Sequence, residues 1–143
     1  SASACHNPMN RLFEYAREFR GFSHLCVIDS DMFFLAPFNL TAAMGSKPFA
    51  FVPQYRQEFS IHYPWNGFVA LDWDFLMSNS FDWSPIPSTG VGGKLHYLLE
   101  RIDDDAFSFF EMWSIHDLEH GGSRSYHTHL NGNLRVKFEH IGI

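Results

Sequence analysis

An apolar run that ends in two aspartates constrains this chain more than any other feature. Residues 25–38 read LCVIDSDMFFLAPF, so Asp29 and Asp31 follow directly on a strand-like segment. Side chains two positions apart on an extended chain point to the same side, and the two carboxylates can converge on one cation. Mg²⁺ and Mn²⁺ favour carboxylate oxygen and keep positions open for water or phosphate. The pattern predicts a metal site for a phosphorylated ligand, although a solvated turn after a strand would also read Asp-Ser-Asp.

The composition is typical of one small domain. The 143 residues are 45% hydrophobic, enough for one core and too few for two ordinary domains. A net charge of −6 without a Lys/Arg cluster argues against nucleic-acid binding. No apolar stretch has the length of a membrane span. Cys5 and Cys26 are too few for a disulfide framework, so we expect Cys26 to be a buried free thiol and favour a cytoplasmic location.

Helical and strand-like periodicities alternate along the chain. Apolar residues recur every three or four positions between residues 6 and 19, with Asn7 as a candidate N-cap and Pro8 in the first turn. Residues 23–28 then read as a buried strand of the parallel type. Further strand-like segments are 48–52 and 67–71, further helical ones are 72–76 and 94–101, and residues 107–113 are apolar. This order predicts an α/β fold.

Two polar segments lie outside these elements. Residues 84–93, SPIPSTGVGG, form a loop before the helical segment 94–101, where glycine amides could meet an anion or could simply form a loop. Near the C-terminus, His127 and His129 share a face if the chain is extended there. Either imidazole could join the cation held by the aspartates, although a surface histidine without a ligand role is the commoner case.

The segment 25–38 resembles the Asp-x-Asp segment of GT-A fold glycosyltransferases. Four other segments agree with that family in order: residues 3–10, the WNGFVALD of 65–72, the TGVGG of 89–93 and the YHTHLNGN of 126–133. The resemblance implies a partial GT-A, Rossmann-like fold with a mixed sheet flanked by helices. The single domain 1–143 would correspond to the central and C-terminal parts of such an enzyme. The N-terminal unit that holds the nucleotide base in this family is not matched, and Gly90 stands where related loops often carry an acidic residue.

The resemblance implies a metal-dependent glycosyltransferase. Mn²⁺ or Mg²⁺ would bind the diphosphate of a UDP- or GDP-linked sugar donor, and the acceptor is not specified. Asp31 would be the direct metal ligand, Asp29 a second ligand or a ribose contact, and His127 or His129 the third ligand. Candidates for the general base are Asp72 and Asp74. The residues implied on the donor and acceptor side are His6, Asn10, Ser30, Asn66, Gly67, Thr89, Gly90, Gly92 and Gly93.

Two other functions also fit the sequence. In a haloacid-dehalogenase-like phosphatase, Asp29 would be the nucleophile, Asp31 the acid/base and residues 103–105 a distant acidic motif, but Phe33 replaces the usual Thr or Val. Alternatively, the chain is an inactive truncated domain that serves binding or assembly. Because no base-binding unit is matched, a homo-oligomer or a partner chain could complete the fold.

Overall fold

The computed structural model describes residues 3–30, 32–34, 37–117, 122–129 and 138–142. Within these residues, four α-helices are interspersed among seven strands, with short 3₁₀ turns at Gln57–Phe59 and Asp104–Ala106. The elements are α1 (Ser3–Ala16), β1 (His24–Ile28), β2 (Met32–Phe34), α2 (Leu40–Met44), β3 (Phe49–Arg56), β4 (Ile61–Asp72), α3 (Trp73–Ser78), α4 (Leu95–Arg101), β5 (Phe107–Asp117), β6 (Gly122–His129) and β7 (Phe138–Gly142).

The strands are hydrogen-bonded in the order β1-β4-β3-β5-β6-β7-β2. The first four form a mixed sheet, because β3 pairs antiparallel with β4 and parallel with β5. The long strand β5 then continues into an antiparallel part with β6, β7 and β2. The predicted α/β fold with a mixed sheet and flanking helices is confirmed.

The mixed sheet is covered on both faces. In β3 and β4, alternate residues enter two different apolar clusters, as the period of a strand requires. Phe49 and Phe51 pack with α1, α3, α4 and the fully buried Trp83. Ala50 and Phe68 face the other side, where α2 and Met32 cover the sheet. This two-sided burial explains why residues 49–52 and 68–71 are almost uniformly apolar.

Helix α1 begins earlier than its sequence indicates. It covers Ser3–Ala16 with Pro8 inside it, so the prediction that Asn7 caps the helix is wrong. In the first turn of a helix the backbone N–H groups have no intrahelical acceptor, so a proline there costs no hydrogen bond. Pro8 lies one turn beyond the first turn of α1. Of the apolar residues that predict the inner face of α1, Met9, Phe13 and Ala16 are buried in the core, whereas Leu12 is exposed.

Strand β1 is not the buried parallel strand that its apolar sequence predicts. It pairs antiparallel with β4, and β4 is its only neighbour among the described strands. An apolar run of four residues is compatible with either position, so periodicity alone could not decide. The same placement overturns the prediction for Cys26, which is free but exposed.

None of the helices in the described part of the chain has the length and apolar character needed to cross a bilayer. The longest, α1, has 14 residues, against roughly 20 for a membrane-spanning helix.

Candidate functional site

Asp29 begins a tight turn between β1, in the mixed sheet, and β2, in the antiparallel part. Its backbone N–H donates to the Gly67 carbonyl at 2.9 Å, and its carbonyl accepts from the Met32 N–H at 3.1 Å. The second bond is the i to i+3 closure of a β-turn. Asp29 and Ser30 therefore lie on a turn rather than on an extended strand. Asp31 lies outside the described residues, and Ser30 is exposed.

The carboxylate of Asp29 rests against Gly67. A Cβ at position 67 would lie 2.6 Å from Asp29 Oδ2 and would overlap the six-membered ring of Trp65. Asp29 and Trp65 are each only partly buried, whereas Gly67 is buried. The absence of a side chain at Gly67 therefore allows an indole ring and a carboxylate to meet at one backbone position. We call these residues, together with Asn66, the Asp29 site.

An irregularity in β4 creates the space for this arrangement. Phe51 pairs with Val69 and Pro53 with Pro64, so the four residues 65–68 of β4 face only Val52 of β3. Such bulges bend a strand and redirect its side chains, and they are frequent beside functional sites. Trp65 and Asn66 are the partly exposed residues in a stretch, 63–71, that is otherwise buried. The bulge thus gives the Asp29 site access to solvent.

The register of the C-terminal strands brings a different histidine to this turn than the sequence suggested. β7 pairs with β2 so that His140 is opposite Met32, the residue after Asp31. His127 is opposite Phe138, which in turn is opposite Phe34. The backbone of His127 is therefore two strands away from β2, roughly 10 Å. His129, further along β6, pairs with Phe110.

The described residues supply one carboxylate to a metal at this turn. Among them, no group of three His, Cys, Asp or Glu side chains is arranged to hold a metal ion. Asp31 is not among these described residues. An ion there would need oxygen ligands beyond Asp29, and the partial exposure of Asp29 and Asn66 fits a cation that keeps water or phosphate. The oxygen atoms of these side chains are chemically compatible with Mn²⁺ or Mg²⁺.

The two candidates for the general base lie away from the Asp29 site. Asp72 ends β4 five residues after Gly67, roughly 16 Å along the strand, and it pairs with His24 at the start of β1. Its carboxylate caps α3 by accepting from the Phe75 N–H at 2.7 Å. Asp74 is exposed in the first turn of α3. The structure does not bring either carboxylate together with Asp29.

The acidic residues 103–105 also lie at the far end of the sheet. They are exposed and precede β5, which begins opposite Phe49. Phe49 in turn pairs with Leu71, next to Asp72. The structure therefore does not bring residues 103–105 together with Asp29, which leaves the phosphatase interpretation without a second acidic motif at this turn.

The loop of residues 84–93 packs tightly onto β4. The Thr89 hydroxyl both donates to the Ile86 carbonyl and accepts from the Ile86 N–H, each at 2.9 Å. The Gly90 N–H donates to the Tyr63 hydroxyl at 3.1 Å. A Cβ at Gly92 would lie 2.8 Å from the Pro64 carbonyl oxygen, and one at Gly93 would overlap the Thr89 side chain. These residues hold the loop beside β4, about three residues from Gly67.

The backbone amides of this loop are already used. The N–H groups of Gly92, Gly93 and Lys94 donate to the carbonyls of Trp83, Gly90 and Ser84 at 2.7, 3.2 and 3.0 Å. Those of Leu95 and His96 donate to Gly92 and Gly93. The interpretation of this helix start as an anion site is therefore wrong, because its donors are consumed within the loop.

Asn10 connects helix α1 to the segment around Asp82 and Trp83, just before this loop. Its side-chain oxygen accepts from the Trp83 N–H at 2.8 Å, and its amide contacts Asp82 at 3.5 Å. Burial alone would raise the pKa of Asp82, but hydrogen bonds from Ser84 and the nearby Lys94 ammonium outweigh it and lower the pKa to about 2. His6 lies on the first half of α1. Its side chain lies outside the description.

Comparison of the chain with protein-family models, with curated proteins and with solved structures finds no match. The function therefore has to be argued from the site itself.

Proposed function

We propose that this chain is a metal-dependent glycosyltransferase domain that binds the diphosphate of a nucleotide-sugar donor at the Asp29 site. The observation that carries this proposal is the meeting of Asp29 with Gly67 and Trp65 at a solvent-accessible bulge. A carboxylate held by a turn supplies charge, the glycine permits close approach of a ligand to the backbone, and the indole offers an apolar surface for a sugar ring.

Mn²⁺ or Mg²⁺ bound by Asp29 and Asp31 would neutralise charge on the departing nucleoside diphosphate as a Lewis acid. The chain's own residues orient the donor. The Asp29 carboxylate is fixed by its backbone bond to Gly67 and by contact with the glycine face. Asn66, partly exposed beside it, can hydrogen-bond a sugar hydroxyl through its amide.

His127 and His129 stay candidates for the imidazole ligand, and His140 joins them because its backbone pairs with that of Met32, the residue after Asp31. We expect one of the variants His127→Ala, His129→Ala and His140→Ala to weaken Mn²⁺ binding severalfold. Unchanged binding by all three would exclude an imidazole ligand.

The proposal is tested by thermal unfolding of the purified chain with Mn²⁺, with and without UDP or GDP. A ligand that binds only the native state raises its stability. We expect one nucleotide to raise the Tm in the presence of metal, and Asp31→Ala to abolish that increase. Asp74→Ala, an exposed carboxylate outside the site, is the matched control and should retain the increase.

The other functions predict different results. A phosphatase would show no nucleotide preference in the unfolding experiment and would hydrolyse a phosphomonoester in a separate turnover assay. A binding or assembly module would show no metal-dependent nucleotide effect even in the wild type. Either outcome would contradict the proposal.

A further inference from the structure

The outer side of β1 carries a row of backbone groups that no strand among the described residues pairs with. The Asp29 N–H bonds to Gly67 and the Trp73 N–H bonds to the Ser23 carbonyl, so the odd-numbered residues of β1 are those that bond to β4. Since hydrogen-bonding direction alternates along a strand, the N–H and C=O groups of His24, Cys26 and Ile28 point outward. In the described part of the chain no strand pairs with this edge.

An apolar surface adjoins this edge. Helix α1 buries one stripe in the core and exposes Leu12 and Tyr15 on another, and Phe19 and Phe22 continue this exposed surface after the helix ends at Ala16. The exposed fractions of these four side chains are 38, 58, 42 and 62%. The ring centroids of Tyr15 and Phe19 are 4.6 Å apart, and those of Phe19 and Phe22 are 6.4 Å apart. We call these four residues the α1 aromatic patch.

The patch and the edge form one continuous surface. Together with Leu25, Cys26 and Trp73, the patch lines a shallow cavity of about 360 Å³. An open strand edge is a template for another strand, and contiguous exposed apolar surface marks a binding site for a partner. An open strand edge beside an exposed apolar patch marks a binding surface more clearly than either feature alone.

We propose that a second copy of this chain covers this surface, with the two β1 strands pairing antiparallel about a two-fold axis at Cys26. A two-fold axis makes each patch contact its own symmetry mate, which is the commonest oligomeric arrangement. The two mixed sheets would then become one sheet that continues across the interface. This inference is independent of the proposed function.

The size and charge of the surface suit a self-pairing interface. With roughly 200 Å² per aromatic side chain, the three exposed rings offer about 300 Å² of apolar area. A stable interface buries about 800 Å² per partner, and the β1 edge and its flanks must supply the rest. The segment 11–22, which carries the patch, holds Arg11, Arg17 and Arg20 against Glu14 and Glu18, so its net charge is only +1. Two copies can therefore approach here despite the net charge of −6 on the whole chain.

Sedimentation velocity over a hundredfold range of protein concentration tests the dimer. We expect the wild-type chain to sediment as a dimer at the upper concentrations and Phe22→Glu to remain monomeric. Phe59→Glu is the matched control, since Phe59 is 53% exposed on a 3₁₀ turn outside the patch, and it should still dimerise. A monomeric wild type, or equal behaviour of the two variants, would overturn the proposal.

A cross-link at Cys26 tests the strand pairing without a destabilising variant. In the proposed register Cys26 is opposite the same residue of the second copy, with Cα atoms about 5.5 Å apart, inside the disulfide range of about 4.4–6.8 Å. Copper-catalysed oxidation by O₂ removes two electrons and two protons from the thiol pair and forms the S–S bond. In a Cys5→Ser background we expect a covalent dimer that is absent in Cys5→Ser/Cys26→Ser. A dimer that does not cross-link would exclude this pairing, and a chain that stays monomeric would leave the edge to another polypeptide.

Discussion

Replacing Gly67 by alanine should disrupt the Asp29 site and leave the rest of the fold intact. The new Cβ would lie 2.6 Å from Asp29 Oδ2, whereas ordinary van der Waals contact begins at 3.4 Å. The carboxylate must therefore move by roughly 0.8 Å, and the overlapping Trp65 ring must move as well. Metal–oxygen distances tolerate only about 0.2 Å. Gly67→Ala should consequently abolish metal-dependent stabilisation by a nucleotide.

The same substitution should cost some stability without preventing folding. Overpacking a filled site typically costs about 1–3 kcal/mol, and Trp65 and Asp29 can each shift because both are partly exposed. At about 2–4 °C of Tm per kcal/mol for a domain of this size, the loss should be about 2–12 °C. Differential scanning calorimetry with and without Mn²⁺ and UDP or GDP measures both effects.

Gly90→Ala provides the matched control. The nearest atom to a Cβ there is the Tyr63 hydroxyl oxygen at 3.9 Å, so alanine meets no obstruction. We expect its Tm and its nucleotide response to equal those of the wild type, or the Tm to rise slightly because alanine restricts the unfolded chain. A Gly67→Ala protein that keeps both the wild-type Tm and the metal-dependent response would refute the reasoning.

Three further predictions concern other residues. Because the pKa of Asp82 is lowered to about 2 from 3.8, its contribution to stability is present above pH 4 and is lost as the pH falls towards 2; Asp82→Asn should therefore show a shallower loss of Tm across that window, and equal slopes would contradict this. Although the residue Cys26 is exposed, desolvation of its thiol by the surrounding protein raises its pKa to about 11. In a Cys5→Ser background its labelling at pH 8 by a disulfide reagent should therefore be about a hundredfold slower than that of a thiol with the ordinary value of 9.0; the rate of a free thiol would be the opposing result. Asp72→Ala removes the cap of α3 and should lower the urea-unfolding free energy by about 1 kcal/mol, while Asp74→Ala, which removes no bond to a backbone N–H in α3, should change it less.

Local patterns predicted most of the elements but not their partners. The helical segments at 72–76 and 94–101 are present as α3 and α4, and residues 107–113 lie in β5. Strand β1 was correctly located and incorrectly paired, because an apolar run of this length does not reveal whether one or two strands lie beside it. Its neighbour, β4, is about 40 residues away in sequence.

The candidate site was only partly predicted, because local patterns do not reveal which distant segments lie side by side. Asp29 and Gly67 were both singled out from sequence, and the structure brings them into contact. Trp65 was not, because its proximity to Asp29 depends on a bulge in β4 that no local pattern encodes. The position of His140 opposite Met32 could not be predicted, because the register of β7 against β2 is a pairing between distant segments. Asp72 was selected by its closeness in sequence to Gly67, but an extended strand carries it to the opposite end of the sheet.

The most direct test of the central claim is a titration of Mn²⁺ monitored by electron paramagnetic resonance, in which bound metal loses the sharp signal of the free ion. The titration is performed on the wild type and Asp31→Ala, each with and without UDP or GDP, and on each nucleotide alone. We predict that the wild type with one nucleotide depletes free Mn²⁺ beyond what that nucleotide does alone, and that Asp31→Ala does not. Identical curves for the two proteins would contradict a metal-dependent donor site at Asp29.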